Sequence, residues 1–354
     1  MLRATALPRI AYVLDPRFPG GTSSAVAREL RVVRGLGYPV SVFAVTSAMF
    51  RGAEPAPALA EALEDLGLWL TWDPPSIAAD RVIVHNPAFL KFDRAFAPRI
   101  LARRLEVVTH ENLVRPGGAE GFDMGNCLGL IDRASLAVEK RLAPISPINR
   151  DGVTAWLRAR PQWAHWQVAA DDWFNICDFE LRPPGAAPRD RRGRHSRAGY
   201  EKFPALAAME TSFPPHAEAN MILGADTFIA EGLTRPHWTL MPFRAMPVEA
   251  FLAEIDFFIY FTAPTWRESF GRVIAEAVAA GKLVITDPET AQTFGSGVIG
   301  ARPEEVDDIV ARHIAAPASY RNRVETAQRD LQRFSGAGFG TMFAARMVER
   351  KTAA

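Results

Sequence analysis

Arg267-Glu268-Ser269-Phe270-Gly271-Arg272-Val273-Ile274-Ala275-Glu276-Ala277-Val278-Ala279-Ala280-Gly281 is the stretch on which the fold of this chain turns. A Ser-Phe-Gly turn follows the first glutamate, and small residues surround the second, eight positions on. Ile255-Asp256-Phe257-Phe258-Ile259-Tyr260-Phe261 before it and Leu283-Val284-Ile285-Thr286 after it have the length and apolarity of buried strands. The order is strand, loop, helix, strand, with one glutamate in the loop and one in the helix. That is the repeating unit of a parallel α/β sheet.

Eight helical residues rise about 12 Å, similar to the distance from the ribose to the distal sugar of an extended nucleoside diphosphate sugar. Between the two carboxylates lies the expected helix start at Ser269-Phe270-Gly271, where backbone N–H groups and the macrodipole favour phosphate. Gly271 allows close approach of a ligand to the backbone. Carboxylates accept from pairs of sugar hydroxyls, so Glu268 is a candidate for a hexose and Glu276 for a ribose. Spacing alone fits a solvated helix glutamate and an ordinary acidic first-turn residue equally well.

The rest of the sequence narrows the choice. A chain of 354 residues is long enough for two domains with substantial cores. A hydrophobic share of 48% with 23% charged residues is the profile of a globular protein. The net charge of +1 gives no global pull toward nucleic acid, so no nucleic-acid partner is expected. Cys127 and Cys177 suit a reduced compartment and lack metal-site spacing. The apolar run Arg9–Leu14 is too short for a signal peptide, and no segment has transmembrane length. A cytoplasmic protein is expected, with peripheral contact at the inner face of a membrane left open.

Strands are expected at 9–14, 39–45, 81–85 and 105–109, with a helix from Thr22 to Leu36. Leu181-Arg182-Pro183-Pro184-Gly185-Ala186-Ala187-Pro188 reads as a linker. Beyond it strands are expected at 220–223, 237–241, 256–261 and 283–286, with helices at 247–254, 270–280 and 302–315. The alternation repeats, which predicts two Rossmann-like domains facing across a cleft: 1–180, and 181–335, with a helix at about 336–354 returning to the first.

Several other groups are candidates. Pro19-Gly20-Gly21-Thr22 follows the first strand and opens the first helix, without the spacing of a dinucleotide fingerprint or a P-loop. The run from Arg182 to Lys202 is strongly basic; within it Arg194 and Lys202 are expected to flank a loop, where they suit phosphate. A solvated face accounts equally for Arg189, Arg191 and Arg192. His85 and His110 each end a strand, where open parallel sheets bind ligands, and Glu111 follows as a base or hydroxyl acceptor. Trp156, Trp163, Trp166 and Trp173 suit core or interdomain packing, or a membrane-facing patch. There is no Asp-x-Asp, HExxH or Gly-x-Ser-x-Gly motif, and no metal or other cofactor is expected.

Taken together, these residues resemble the retaining GT-B glycosyltransferases, in particular glycosyltransferase family 4. The resemblance is carried by Glu268 and Glu276, the Ala279-Ala280-Gly281 close, Gly193-Arg194 with Lys202, and Gly20-Gly21. It spans most of the chain, and between about 46 and 180 it is one of architecture. It implies transfer of a hexose from a nucleoside diphosphate sugar, UDP or GDP, to a glycan or lipid-linked acceptor in polysaccharide or glycoconjugate biosynthesis, without metal and with retention. It implies that Arg194 and Lys202 bind the diphosphate, Glu268 the sugar and Glu276 the ribose. Met241-Pro242-Phe243 would lie near the nucleobase, the amides at Ser269, Phe270, Gly271, Gly20 and Gly21 would face phosphate or sugar, and His85 or His110 would face the reacting centre. The chain departs from the family at His195-Ser196-Arg197, at Phe203, and at Lys282 where proline is common.

Overall fold

The computed structural model describes residues 6–18 and 21–347, which form two compact units. One holds the described residues up to 114, then 118–176 and those from 334 on; the other holds 115–117 and 177–333. Gly20 lies outside the described residues.

The first unit is built on seven parallel strands: β1 (Ile10–Leu14), β2 (Val40–Ala44), β3 (Leu70–Trp72), β4 (Ser76–His85), β5 (Arg99–Thr109), β6 (Ser135–Pro144) and β7 (Trp166–Val168). Their order, β3-β2-β1-β4-β5-β6-β7, reverses direction between β1 and β4. Every residue of β1 is buried, as expected for a strand covered on both faces. Ligands of such sheets bind where the order reverses, outside the carboxyl ends of the strands. In this unit that point is flanked by helix α1 (Gly21–Gly35) and by His85, the last residue of β4.

The tryptophans belong to this unit's core. Trp156, Trp166 and Trp173 are buried, and Trp163 stacks on Trp156 at 6.2 Å. The helix Gly336–Met347 packs Phe339 and Phe343 edge-on against Trp173. Its last turn is held by Arg81 and Arg104, which both donate to the Arg346 carbonyl at 3.2 Å. The Arg346 guanidinium in turn donates to Glu106 Oε1 at 3.1 Å.

The second unit repeats the plan with six parallel strands: β8 (Arg191–His195), β9 (Ala219–Leu223), β10 (Thr239–Met241), β11 (Phe257–Tyr260), β12 (Leu283–Thr286) and β13 (Ile299–Gly300). Their order is β10-β9-β8-β11-β12-β13, so the reversal falls between β8 and β11. The basic run opens as strand β8, so Arg194 sits inside the sheet, while Lys202 lies in the turn Tyr200–Lys202 on the other side of a short loop. Arg-Arg-Gly-Arg-His is a buried strand because each cation has a partner at close range. Arg191 Nε donates to Asp256 at 2.8 Å, Arg192 Nε donates to Asp190 at 2.6 Å, and Arg192 also faces Asp307 at 2.7 Å. Gly193 supplies the remaining space, since a Cβ there would lie 2.8 Å from Ile255.

Candidate functional site

At the switch point of the second unit, β8 and β11 deliver Arg194 and Tyr260 side by side. Arg194 is 1% exposed, and its guanidinium lies 4.2 Å from the Phe203 ring centre and 5.1 Å from that of Tyr260. It donates to the Phe261 carbonyl at 3.0 Å and to the Lys202 carbonyl. Burial pushes its pKa down to about 10, against the pull of Tyr260 and Glu268. The guanidinium therefore serves to fix main chain: it ties the end of β11 to the 3₁₀ turn Tyr200–Lys202.

That turn carries Lys202 into contact with Glu268. The ammonium donates to Glu268 Oε1 at 2.5 Å, and the Tyr260 hydroxyl donates to the same oxygen at 2.6 Å. Both bonds fall on Oε1, and among the described residues Oε2 has no hydrogen-bond partner, so it is available to accept from a ligand hydroxyl. Burial pushes the Glu268 carboxyl up, but Lys202 and Tyr260 outweigh it and hold the group below the usual carboxylate range. Burial, then the Glu268 charge, drives Tyr260 well above the usual phenol range, so the hydroxyl stays a donor. The Lys202 ammonium also lies over Trp266 at 5.6 Å.

Ser269, Phe270 and Gly271 follow at once. Phe270 is buried against Phe294, and Gly271 adopts φ +91° at the start of helix α8 (Arg272–Ala279). No side chain caps this helix, so its first turn leaves amide donors and the positive end of its dipole for an anion. Glu268 sits in the loop that leads into it, and Lys202 reaches that loop from the Tyr200–Lys202 turn.

Glu276 lies one helical turn past Arg272, whose Nε donates to its Oε1 at 3.0 Å. Its other oxygen is 3.7 Å from His195 Nε2. Glu276 lines a cavity of about 420 Å³ with Phe179, Arg182, Val248, Glu249 and Lys282. Val248 also lines a second cavity of about 390 Å³, at the carboxyl ends of β8 and β9, formed by His195, Ser196, Leu223, Phe243 and Arg244. Phe243 is among its walls, whereas Met241 ends β10, where its carbonyl accepts from the amides of Gly224 and Ala225. Arg244 adopts φ +65°, which is uncommon for a residue with a side chain and is a form of strain found at ligand sites.

Two polar atoms at this cavity, His195 Nε2 and Ser196 Oγ, are buried without a hydrogen-bond partner among the described residues. Burial, then Arg194, pushes His195 down to about 4, so the ring is neutral. An unpaired buried polar atom costs about 1–3 kcal/mol, and a polar ligand in the cavity would remove that cost. In the sequence His195 and Ser196 stand out only as departures from the family, and Tyr260 only as part of an apolar run. The signal for Tyr260 was its place as a polar residue at the end of an apolar strand.

In the first unit the two candidate histidines come together. His85 Nδ1 lies 3.1 Å from His110 Nε2, at the carboxyl ends of β4 and β5. Asn86, at φ 52°, donates to Thr22 Oγ1 at 3.1 Å and reaches Glu111 at 3.5 Å. Gly21 is the exposed first residue of α1, and a Cβ there would meet nothing within 4 Å.

Comparison with protein-family models gives no match, and comparison with curated proteins gives none. Solved structures do match. Anabaena HepE in complex with UDP and glucose superposes with a TM-score of 0.63 at 16% identity, over 96% of this chain and 99% of that chain. A UDP-forming α,α-trehalose-phosphate synthase from Burkholderia xenovorans gives 0.61 at 11% identity, over 98% and 100%. WaaG, a glycosyltransferase involved in lipopolysaccharide biosynthesis, gives 0.55 at 15% identity, over 96% and 99%. At these identities the likeness is one of fold: the chain has the GT-B architecture of two Rossmann-like domains. Among the described residues no helix is long and apolar enough to cross a membrane.

Proposed function

We propose that the chain is a retaining glycosyltransferase, which moves a hexose from a nucleoside diphosphate sugar to a glycan or lipid-linked acceptor. The observation that carries this reading is the Lys202–Glu268–Tyr260 cluster beside the uncapped start of α8. A poised carboxylate oxygen and bare helix amides in one loop, with a cation brought to them by the Tyr200–Lys202 turn, match a diphosphate joined to a polyol.

In this reading the bond from the anomeric carbon to the diphosphate oxygen breaks as the acceptor oxygen bonds to that carbon. Charge builds on the departing diphosphate. Lys202 and the α8 amides stabilise it, in the role a metal ion plays elsewhere. Arg194 acts through the Lys202 carbonyl, holding the turn that aims the ammonium. Glu268 Oε2 accepts from a sugar hydroxyl, while Glu276 and the cavity at His195 and Ser196 receive the nucleoside. HepE is described with UDP-glucose, which makes UDP the first nucleotide to test, ahead of GDP.

A thermal-shift panel of UDP, GDP, ADP, TDP and CMP with their sugar conjugates tests the reading. At 100-fold excess over Kd, a ligand bound only by the folded state adds about 2.7 kcal/mol, so the cognate donor stands out. No shift with any nucleotide would overturn the proposal. Incubating the donor alone and finding an epimerised sugar nucleotide would replace transfer by epimerisation. Glu276→Ala is expected to weaken nucleotide binding about tenfold, or about 1.4 kcal/mol, as measured by calorimetry. Unchanged affinity removes Glu276 from the ribose site.

A further inference from the structure

Glu276 has a neighbour besides Arg272, and it comes from a different element. His195 closes β8, at the point where the strand order of the second unit reverses. The residue is 4% exposed, and its ring packs against Phe251 and Phe258, with 5.8 and 5.3 Å between centres. Nε2 has no hydrogen-bond partner among the described residues and lies 3.7 Å from Glu276 Oε2. An apolar ring of similar size would pack against the same two phenylalanines and avoid the cost of an unpaired buried nitrogen. A nitrogen left over in this way calls for a partner from outside the chain.

The gap defines that partner. A separation of 3.7 Å is too long for Nε2 and Oε2 to bond each other. It is short enough for one oxygen atom to sit about 2.8 Å from both. Arg272 holds Glu276 Oε1 at 3.0 Å, which leaves Oε2 on the His195 side. A carboxylate only accepts, and its charge turns away a phosphate. Burial, then Arg194, keeps the His195 ring neutral, so one of its nitrogens donates and the other accepts. A hydroxyl accepts from Nε2–H and donates to Oε2 through a single oxygen, and so completes both groups. The Glu276 side chain is 21% exposed and that of His195 6%, so a ligand reaches the pair from the Glu276 side.

We propose that His195 is a specificity-determining residue of the nucleotide site: it shares with Glu276 one hydroxyl of the ribose 2′,3′-diol, and so selects ribonucleotides over their deoxy counterparts. The proposal rests on the transferase reading, in which Glu276 lies at the ribose. Gly271 and Glu276 are five residues apart, a rise of about 7.5 Å along the helix. That is close to the span from a diphosphate at the start of α8 to the diol of the ribose it carries. The shared hydroxyl requires the hydrogen of the ring to be on Nε2. A site built around a hydroxyl rejects an analogue that lacks it, because both partners are then left unpaired.

The test is calorimetry of the full chain with UDP, 2′-deoxy-UDP and 3′-deoxy-UDP. One of the two deoxy nucleotides is expected to bind at least about tenfold more weakly than UDP. His195→Phe keeps an aromatic ring against Phe251 and Phe258 and removes both nitrogens. In that variant the penalty for the same deoxy nucleotide is expected to shrink by at least about threefold. His195→Leu takes its place if His195→Phe does not fold, and the deoxy forms of GDP replace those of UDP if GDP is the nucleotide that binds. Equal binding of the three nucleotides overturns the proposal and leaves the transferase reading standing. So does a penalty that survives in His195→Phe while all three nucleotides weaken together, which is the result of a merely structural role. If no nucleoside diphosphate binds, both readings fall.

Discussion

Lys202→Ala is expected to lower the proposed sugar transfer by a factor on the order of 1,000 and to leave the fold in place. The size of the effect follows from what the ammonium touches. It is the cation of the cluster at the α8 start, and Glu268 Oε1 is held by it and by Tyr260. Without it the diphosphate of the proposed reaction loses a positive charge, and Glu268 loses the partner that most lowers its pKa. Both side chains are 12% exposed, so breaking the pair costs about 3–5 kcal/mol. That is within the stability of an ordinary domain, about 5–15 kcal/mol. Lys202→Met keeps an unbranched side chain of similar length beside Trp266 and isolates the charge. Retention of wild-type turnover in Lys202→Met would remove Lys202 from the mechanism.

The same pair predicts a pH signature. Glu268 is held below the usual carboxylate range in the folded chain. Its contribution to stability is therefore fully present above the unfolded carboxyl pKa, near about 4.3, and is lost as pH falls through the depressed folded value. Lys202→Met removes the main reason for the depression. The stability gap between wild type and Lys202→Met should be widest above about pH 5 and narrow toward about pH 3, in denaturant titrations at each pH. A gap that widens on acidification would contradict the pairing.

How much of this was legible depended on where apolar residues mark an element. β11 and β12 are continuous apolar runs, and the loop and helix between them follow from their spacing. β8 is invisible on that criterion, since Arg191-Arg192-Gly193-Arg194-His195 contains no aliphatic residue. It is a buried strand only because Asp256, Asp307 and the Phe261 carbonyl converge on it from distant segments, beside Asp190 and the Lys202 carbonyl from nearby ones. The pairing of Glu268 with Lys202, 66 residues apart, was hidden for the same reason. Glu29 looks in sequence like any helix glutamate, and only the approach of β4 beneath α1 gives it a partner. Long-range partners of charged groups carry no local periodicity, whereas buried apolar strands do.

Gly224→Ala is expected to unfold the second unit, or to lower its transition by about 10 °C or more. Gly224 follows β9 with φ +88°, where a residue with a Cβ is strained by about 1–2 kcal/mol. Strain is the smaller part. A Cβ at this position would lie 2.0 Å from the Ser196 carbonyl oxygen and 3.0 Å from its carbon. Those are main-chain atoms, and they cannot rotate away as a flexible side chain would. The Ser196 amide is bonded to the Leu223 carbonyl at 3.1 Å, and the Gly224 amide to the Met241 carbonyl at 2.8 Å. Relief of the clash must therefore part β8 from β9 and β9 from β10, giving a loss above about 4 kcal/mol. Gly232→Ala is the control: φ is +67°, but nothing lies within 4 Å of its Cβ, so only strain of about 1–2 kcal/mol is expected. Equal losses in the two variants, measured by thermal denaturation, would mean that backbone strain rather than the contact with Ser196 sets the cost. A larger loss at Gly224 ties the stability of the sheet to the same main-chain contact that places Ser196 at the cavity wall.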